Sequence, residues 1–144
     1  MLWEALGLPC LLPRSRTIGA YRMTYFNYNK PGEADQPMGT FLLIPRAALE
    51  DVGLMDTQFP LFFNDVDWCW RAKRQCGWRI FYTPDAVVTH VGGAATRQAG
   101  GRMRDESHRA LLRFYEKHYK DRLSPLVFAL ALWLIDQSRR RGRR

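Results

Sequence analysis

The chain has 144 residues, of which 47% are hydrophobic, 13% aromatic and 25% charged. That is the composition of one ordinary globular domain, or of part of a larger one, and it excludes a disordered tail, which would hold far fewer aromatic residues. The formal charge is +8, but Arg139, Arg140, Arg141, Arg143 and Arg144 supply five of those charges. The basic excess therefore belongs to the tail and argues against a nucleic-acid-binding face spread over the domain. Three cysteines (Cys10, Cys69 and Cys76) with no C-x-x-C pair fit a reducing compartment rather than a disulfide scaffold or a cysteine-rich zinc site. Met1 to Pro9 is apolar but has no basic start and is broken by Glu4 and Pro9, so it does not read as a secretory signal.

In chain order, Leu2 to Leu8 reads as a short helix, and Leu11 to Lys30 as a loop with a strand around Arg22–Phe26. Lys30-Pro31-Gly32 is a turn signal. The unbroken apolar run Thr40-Phe41-Leu42-Leu43-Ile44 predicts a strand buried on both faces. Arg46 to Val52 predicts a helix, with Pro45 at its start and Gly53 as its stop. Phe59 to Phe63 reads as extended and leads to Asn64 or Asp65 as an N-cap. The helix that follows, Asp65 to Cys76, would put Val66, Cys69, Trp70 and Cys76 on one face. Trp78–Tyr82 and Ala86–Val91 read as two strands around a Pro84-Asp85 turn. Gly92-Gly93 and Gly100-Gly101 bracket a flexible loop. A helix from about Met103 to Tyr119 follows, with Leu111, Leu112, Phe114, Tyr115 and Tyr119 as its apolar positions. Ser124-Pro125 opens a last helix whose apolar run, Pro125 to Ile135, is eleven residues long. A membrane span needs about 20.

The segment with the most chemistry is Phe62-Phe63-Asn64-Asp65-Val66-Asp67-Trp68-Cys69-Trp70-Arg71. It delivers two acids to a helix N-terminus, where exposed N–H groups and the dipole favour negative charge. A rigidly aimed carboxylate there can accept a proton from a hydroxyl as a general base, and this role goes to Asp65. Asp67 has Arg71 four residues on, the spacing of a helical ion pair, and is given a structural or substrate-orienting role. An acid at a helix start also serves simply as a cap. D-x-D can also bind a divalent metal, although two oxygens seldom suffice. His90, closing a strand before Gly92-Gly93, can ligate a metal, bond a phosphate or be structural. His108 and His118 read as surface or packing residues. Trp68, Trp70 and Trp78 read as core, though Trp68, beside Asp67, could stack on a sugar ring.

Taken in order, Met38-Gly39-Thr40-Phe41-Leu42-Leu43-Ile44-Pro45-Arg46, Val52-Gly53-Leu54-Met55-Asp56, Phe62 to Arg71, Gly77-Trp78-Arg79-Ile80, Pro84-Asp85-Ala86 and His90-Val91-Gly92-Gly93 resemble the C-terminal half of a glycosyltransferase family 2 domain of the rhamnosyltransferase-like kind. The resemblance covers about residues 15–97. It implies an α/β architecture, a partial GT-A (Rossmann-like) domain lacking its N-terminal nucleotide-binding half, with C-terminal helices added. It implies an inverting transferase that moves a sugar from a nucleotide-sugar donor to an acceptor hydroxyl, in cell-surface polysaccharide or glycolipid synthesis. On this resemblance Asp65 is the catalytic base. Gly39 and Thr40 line the acceptor side; from the residues themselves, Asp67, Trp68 and Arg71 are added as acceptor-binding or orienting residues. His90 joins a divalent Mn or Mg site. Many members have Glu where Asn64 stands, and Ala95 takes a place where a hydroxyl residue is common.

The expected division is an irregular lead-in (1–38), the acceptor and catalytic-base half (39–100), a helix (101–122) and an apolar helix with a basic tail (123–144). Lacking the donor-binding half, the chain is expected to be an inactive fragment alone. The alternative is a non-catalytic accessory or split-enzyme module that needs a partner chain to bind the nucleotide sugar. The expected partners are the donor, a glycan or lipid-linked acceptor and an anionic membrane surface met by the C-terminal helix and Arg tail, with no nucleic acid. The expected location is cytoplasmic, peripheral on the inner face of the cell membrane.

Overall fold

The computed structural model describes residue 23, residues 25–91 and residues 101–141. The elements in chain order are β1 (Gly32–Glu33), α1 (Arg46–Val52), α2 (Asn64–Arg74), β2 (Phe81–Tyr82), α3 (Gly101–Tyr119) and α4 (Pro125–Arg141). The described residues are thus mixed α/β, with four helices and one two-stranded sheet in which β1 pairs with β2. They fall into two units. The expected helix at Leu2–Leu8 and the loop at Gly92–Gly100 lie outside the described residues, as does most of the expected strand around residues 22–26.

The first unit includes residues 25–32 and 81–87. Phe26, Tyr28 and Tyr82 meet edge to face, with centroids 5.0, 5.6 and 5.7 Å apart, the arrangement that ring quadrupoles favour. The Tyr82 hydroxyl donates to the Tyr28 carbonyl. Thr83 and Asp85 close a local turn: the Thr83 hydroxyl donates to the Asp85 carboxylate and accepts the Asp85 N–H.

The second unit includes residues 33–80, 88–91 and 101–141, and α2 is its centre. One side of α2 packs Trp68, Cys69 and Ala72 against Ala48 of α1 and against Ile80, with Leu42, Ile44, Val52 and Trp78 around them. The other side presents Val66 and Trp70 to a second cluster of Phe59, Ala110 and Phe114. α2 therefore has two apolar faces. The single face expected from Val66, Cys69, Trp70 and Cys76 is corrected, and Cys76 lies beyond the helix, exposed. α1 forms as expected. The Pro45 carbonyl receives the Leu49 N–H, and Gly53, at φ 81°, closes the helix by donating to the Leu49 carbonyl. That φ suits glycine because it has no Cβ to clash.

Three expected features are corrected. Residues 40–44 form no strand. They keep the alternation of one, with Leu42 and Ile44 turned to the core, but Leu43 is 88% exposed. A strand needs a neighbour to receive its N–H and C=O groups, and among the described residues none runs beside this segment. Residues 86–91 form no strand either, and β2 pairs with β1 instead. Phe59–Phe63 is bent rather than extended. Phe59 is buried, and Phe63 takes left-handed backbone at φ 67°, a conformation rare for a bulky residue.

Candidate active site

The start of α2 is capped from within. Phe63 holds the N-cap position and offers no side-chain acceptor. Asn64 and Asp65 are the first two residues of the helix, so neither is the N-cap. The Asn64 side-chain oxygen accepts the Asp65 N–H at 2.8 Å, and Asp65 Oδ1 accepts the Val66 N–H at 2.8 Å. These bonds satisfy N–H groups that a helix start leaves without intrahelical partners.

Asp65 Oδ2 accepts the Gly39 N–H at 2.7 Å, across 26 residues of sequence. The approach is close enough that a Cβ on Gly39 would lie 3.1 Å from the Asp65 Cβ. Gly39 and Asp65, both singled out in the sequence, are thus brought together. Each Asp65 oxygen is held by one backbone donor, and the carboxylate is only half-buried. Such a group is fixed in aim and reachable by a small hydroxyl. Thr40, next to Gly39, is exposed.

Asp67, two residues on, has the opposite setting. Its side chain is fully buried. Oδ2 accepts Arg71 Nε at 2.9 Å, and Oδ1 accepts Lys117 Nζ and His118 Nε2, each at 2.7 Å. Because an ionised carboxylate only accepts, Nε2 of His118 carries the proton. Burial opposes the charge on Asp67, but Lys117, His118 and Arg71 outweigh it and hold the carboxyl below its ordinary range. Burial pushes His118 down, and with the neighbouring Lys117 and Arg71 charges it outweighs the opposing pull of Asp67. A neutral imidazole therefore donates to an ionised carboxylate. The His118 ring lies 3.9 Å from the Trp70 centroid and 4.8 Å from that of Phe114. Lys117 also donates to Asp56 at 2.6 Å and lowers that carboxyl too.

Arg71 uses its other nitrogens on the carbonyls of Val52 and Leu54, and the Trp68 indole N–H donates to the Gly53 carbonyl at 2.8 Å. α2 therefore holds the 52–54 turn by three hydrogen bonds. Trp68 is 4% exposed, so its ring faces core and offers no surface to a sugar. Asp67 and Arg71 are likewise directed inward, which favours the structural role of the two considered for Asp67. Burial also pushes the Cys69 thiol up to about 11, which leaves it unreactive.

Lys117 and His118 are the members of this cluster that the sequence reading missed. The signal was a histidine following buried positions of α3 at helical spacing: Ala110, Leu111 and Phe114 are buried, and His118 is four residues after Phe114. His90 is exposed on irregular backbone. Among the described residues no three His, Cys, Asp or Glu side chains converge as a metal site requires. A cavity of about 520 Å³ is lined by Gln58, Arg113, Glu116, Lys117, Lys120 and Phe128. None of the residues predicted for the site lines it.

The chain matches a family described as glycosyltransferase-like family 2 over residues 20–110, a span that includes β1, α1, α2 and the Gly39–Asp65 contact. It belongs to that family. Comparison with curated proteins and with solved structures gave no match. Family membership carries glycosyl transfer in general, with a nucleotide-sugar donor and an acceptor.

Proposed function

We propose that the chain serves sugar transfer of the inverting type, with Asp65 as the general base. The observation that carries this reading is the Asp65 carboxylate, held by the Gly39 and Val66 amides at the surface while its neighbour Asp67 is fully buried. An acceptor hydroxyl would give its proton to Asp65 as its oxygen attacks the anomeric carbon. The bond from that carbon to the donor phosphate breaks on the opposite face, and the nucleotide leaves with the electron pair. A base positioned within hydrogen-bond reach contributes about 10²–10⁴-fold to such a step. Gly39 and Thr40 would line the acceptor side of a GT-A cleft. The product would be a polysaccharide or glycolipid of the rhamnosyltransferase-like kind, made on the cytoplasmic side of the membrane.

A Mn or Mg ion is part of the expectation for this family. The described residues do not assemble a three-ligand set for one, so His90 would hold it only together with ligands from elsewhere.

The second reading, a module that works only with a partner chain, has one observation in its favour. Met38, Phe41, Leu43 and Leu54 are 55–88% exposed, more apolar surface than water alone favours. The test is sugar transfer with a panel of nucleotide sugars and glycan acceptors, for wild type and Asp65→Asn. By itself the chain is expected to show no turnover; joined to a partner that binds the nucleotide sugar, the wild type is expected to turn over and Asp65→Asn at least 10²-fold less, with donor binding unchanged. Equal turnover would overturn the base assignment. Donor binding by neither protein would favour the partner-dependent reading.

A further inference from the structure

Helix α4 is apolar on two sides. Phe128, Ala131, Leu132 and Ile135 recur at helical spacing and are turned inward, Ile135 being 7% exposed, where α4 packs on α3. Leu126, Val127, Leu130, Trp133 and Leu134 form a second stripe on the opposite side and are 45–80% exposed. A helix of the surface of a globular protein normally turns charged or polar groups outward on that side.

We propose that this outward stripe is a docking surface that lies in the plane of an anionic lipid bilayer, with the basic residues around it meeting lipid phosphates. The inference does not rest on the sugar-transfer reading. Three observations select this occupant. First, among the described residues no helix is long and apolar enough to cross a membrane, so the stripe suits partial insertion, in which an apolar face sinks about 5–10 Å into the headgroup boundary. Second, the charge is complementary. Lys120 precedes the stripe and the five arginines among residues 139–144 follow it, whereas Arg122 is stacked over the Trp70 ring. Arg140 is paired with Asp136 at 2.8 Å, which leaves the tail strongly basic. Third, the stripe is small for self-association. From Leu126 to Leu134 a helix rises about 12 Å and is about 10 Å wide, far short of the roughly 800 Å² that each partner of a stable dimer buries. Trp133, with an apolar ring and one N–H, suits the boundary between lipid and water.

The experiment is flotation of the full chain with vesicles of phosphatidylcholine alone, and with vesicles containing phosphatidylglycerol, at low and high salt. Size-exclusion chromatography with light scattering is run in parallel. Wild type is expected to float with the anionic vesicles and to be released by high salt. The double variant Leu130→Asp/Trp133→Ser, which changes only exposed positions and is checked for helix content by circular dichroism, is expected to float at least tenfold less. Each tail arginine replaced by glutamine should weaken binding about fivefold. Equal flotation on both vesicle types would overturn the proposal, as would wild type remaining unbound. A wild-type dimer that Leu130→Asp/Trp133→Ser converts to a monomer would also overturn it, by showing that the stripe meets a second copy.

Discussion

His118 donates a hydrogen bond to Asp67 at 2.7 Å in the interior, across 51 residues of sequence. That contact ties α3 to α2 at a position two residues from Asp65. It occupies one end of a chain of polar contacts that runs from His118 through Asp67 and Arg71 to the carbonyls of Val52, the last residue of α1, and of Leu54 just beyond it. The helix that carries the candidate base is thereby fixed on both sides by charge-assisted hydrogen bonds, which are stronger than neutral ones, and by apolar packing. A base that must meet a hydroxyl within about 3 Å needs a rigid support of this kind.

Removing Asp67 tests the support. Asp67→Leu would leave Arg71, Lys117 and His118 facing an apolar side chain in a buried place. Breaking one partner out of a buried charge cluster costs about 3–5 kcal/mol. The expected outcome in urea denaturation is a large fall in the midpoint with little change in slope. A loss below about 1 kcal/mol would show that the cluster contributes little to the fold.

The same cluster sets a pH dependence. Folding lowers the His118 value from its ordinary 6.5, so the unfolded chain binds the proton more readily. Stability from this group is complete above pH 6.5 and is lost as the pH falls below it. Asp67, Asp56 and Glu33 are also lowered by folding, from ordinary values near 4. Their contribution disappears only in stronger acid. Stability is therefore expected to fall in two stages on acidification. His118→Phe keeps a ring between Trp70 and Phe114 and removes the titrating group. It should be less stable at pH 7.5 by about 1.5–3 kcal/mol, the worth of a hydrogen bond to a charged group, but flatter between pH 7 and pH 5. Thermal melts across that range check both parts, and a wild-type profile with no slope there would contradict the assignment.

The helices were readable because their signals are local. Pro45 and Gly53 bound α1, and the acids of the 62–71 segment mark the start of α2. The Asp67–Arg71 pair also followed from spacing alone. What spacing could not show was long-range. Phe41 and Leu43 share an apolar run with Leu42 and Ile44, and only the position of the core decides which pair is buried. His118 looked like one more polar position on α3, because its partner lies on another helix. Trp68 looked able to meet a sugar, because an aromatic beside an acid suits that task equally well until burial is known. The Gly39–Asp65 contact was legible only as two motifs in the right order; the structure supplies the hydrogen bond between them.

That contact yields the last expectation. Gly39→Ala would place a Cβ 3.1 Å from the Asp65 Cβ and 3.3 Å from its Oδ2. Both distances are tighter than ordinary van der Waals contact, so either the 39–40 turn or the Asp65 side chain must shift. Gly39 is exposed and no left-handed backbone angle is at stake, so the fold should lose only about 1 kcal/mol. The residue-39 amide keeps its N–H, but the shift would lengthen its bond to Asp65 and turn the carboxylate, and displacement of a reacting group by about 1 Å can cost on the order of 10²-fold in rate. The two effects separate in one comparison. Denaturation should show a loss of no more than about 1 kcal/mol for Gly39→Ala, while sugar transfer falls steeply and donor binding is retained. If transfer and stability both stay at wild-type levels, the Gly39 amide does not aim Asp65. If stability falls by several kcal/mol, the close approach serves the fold rather than the base.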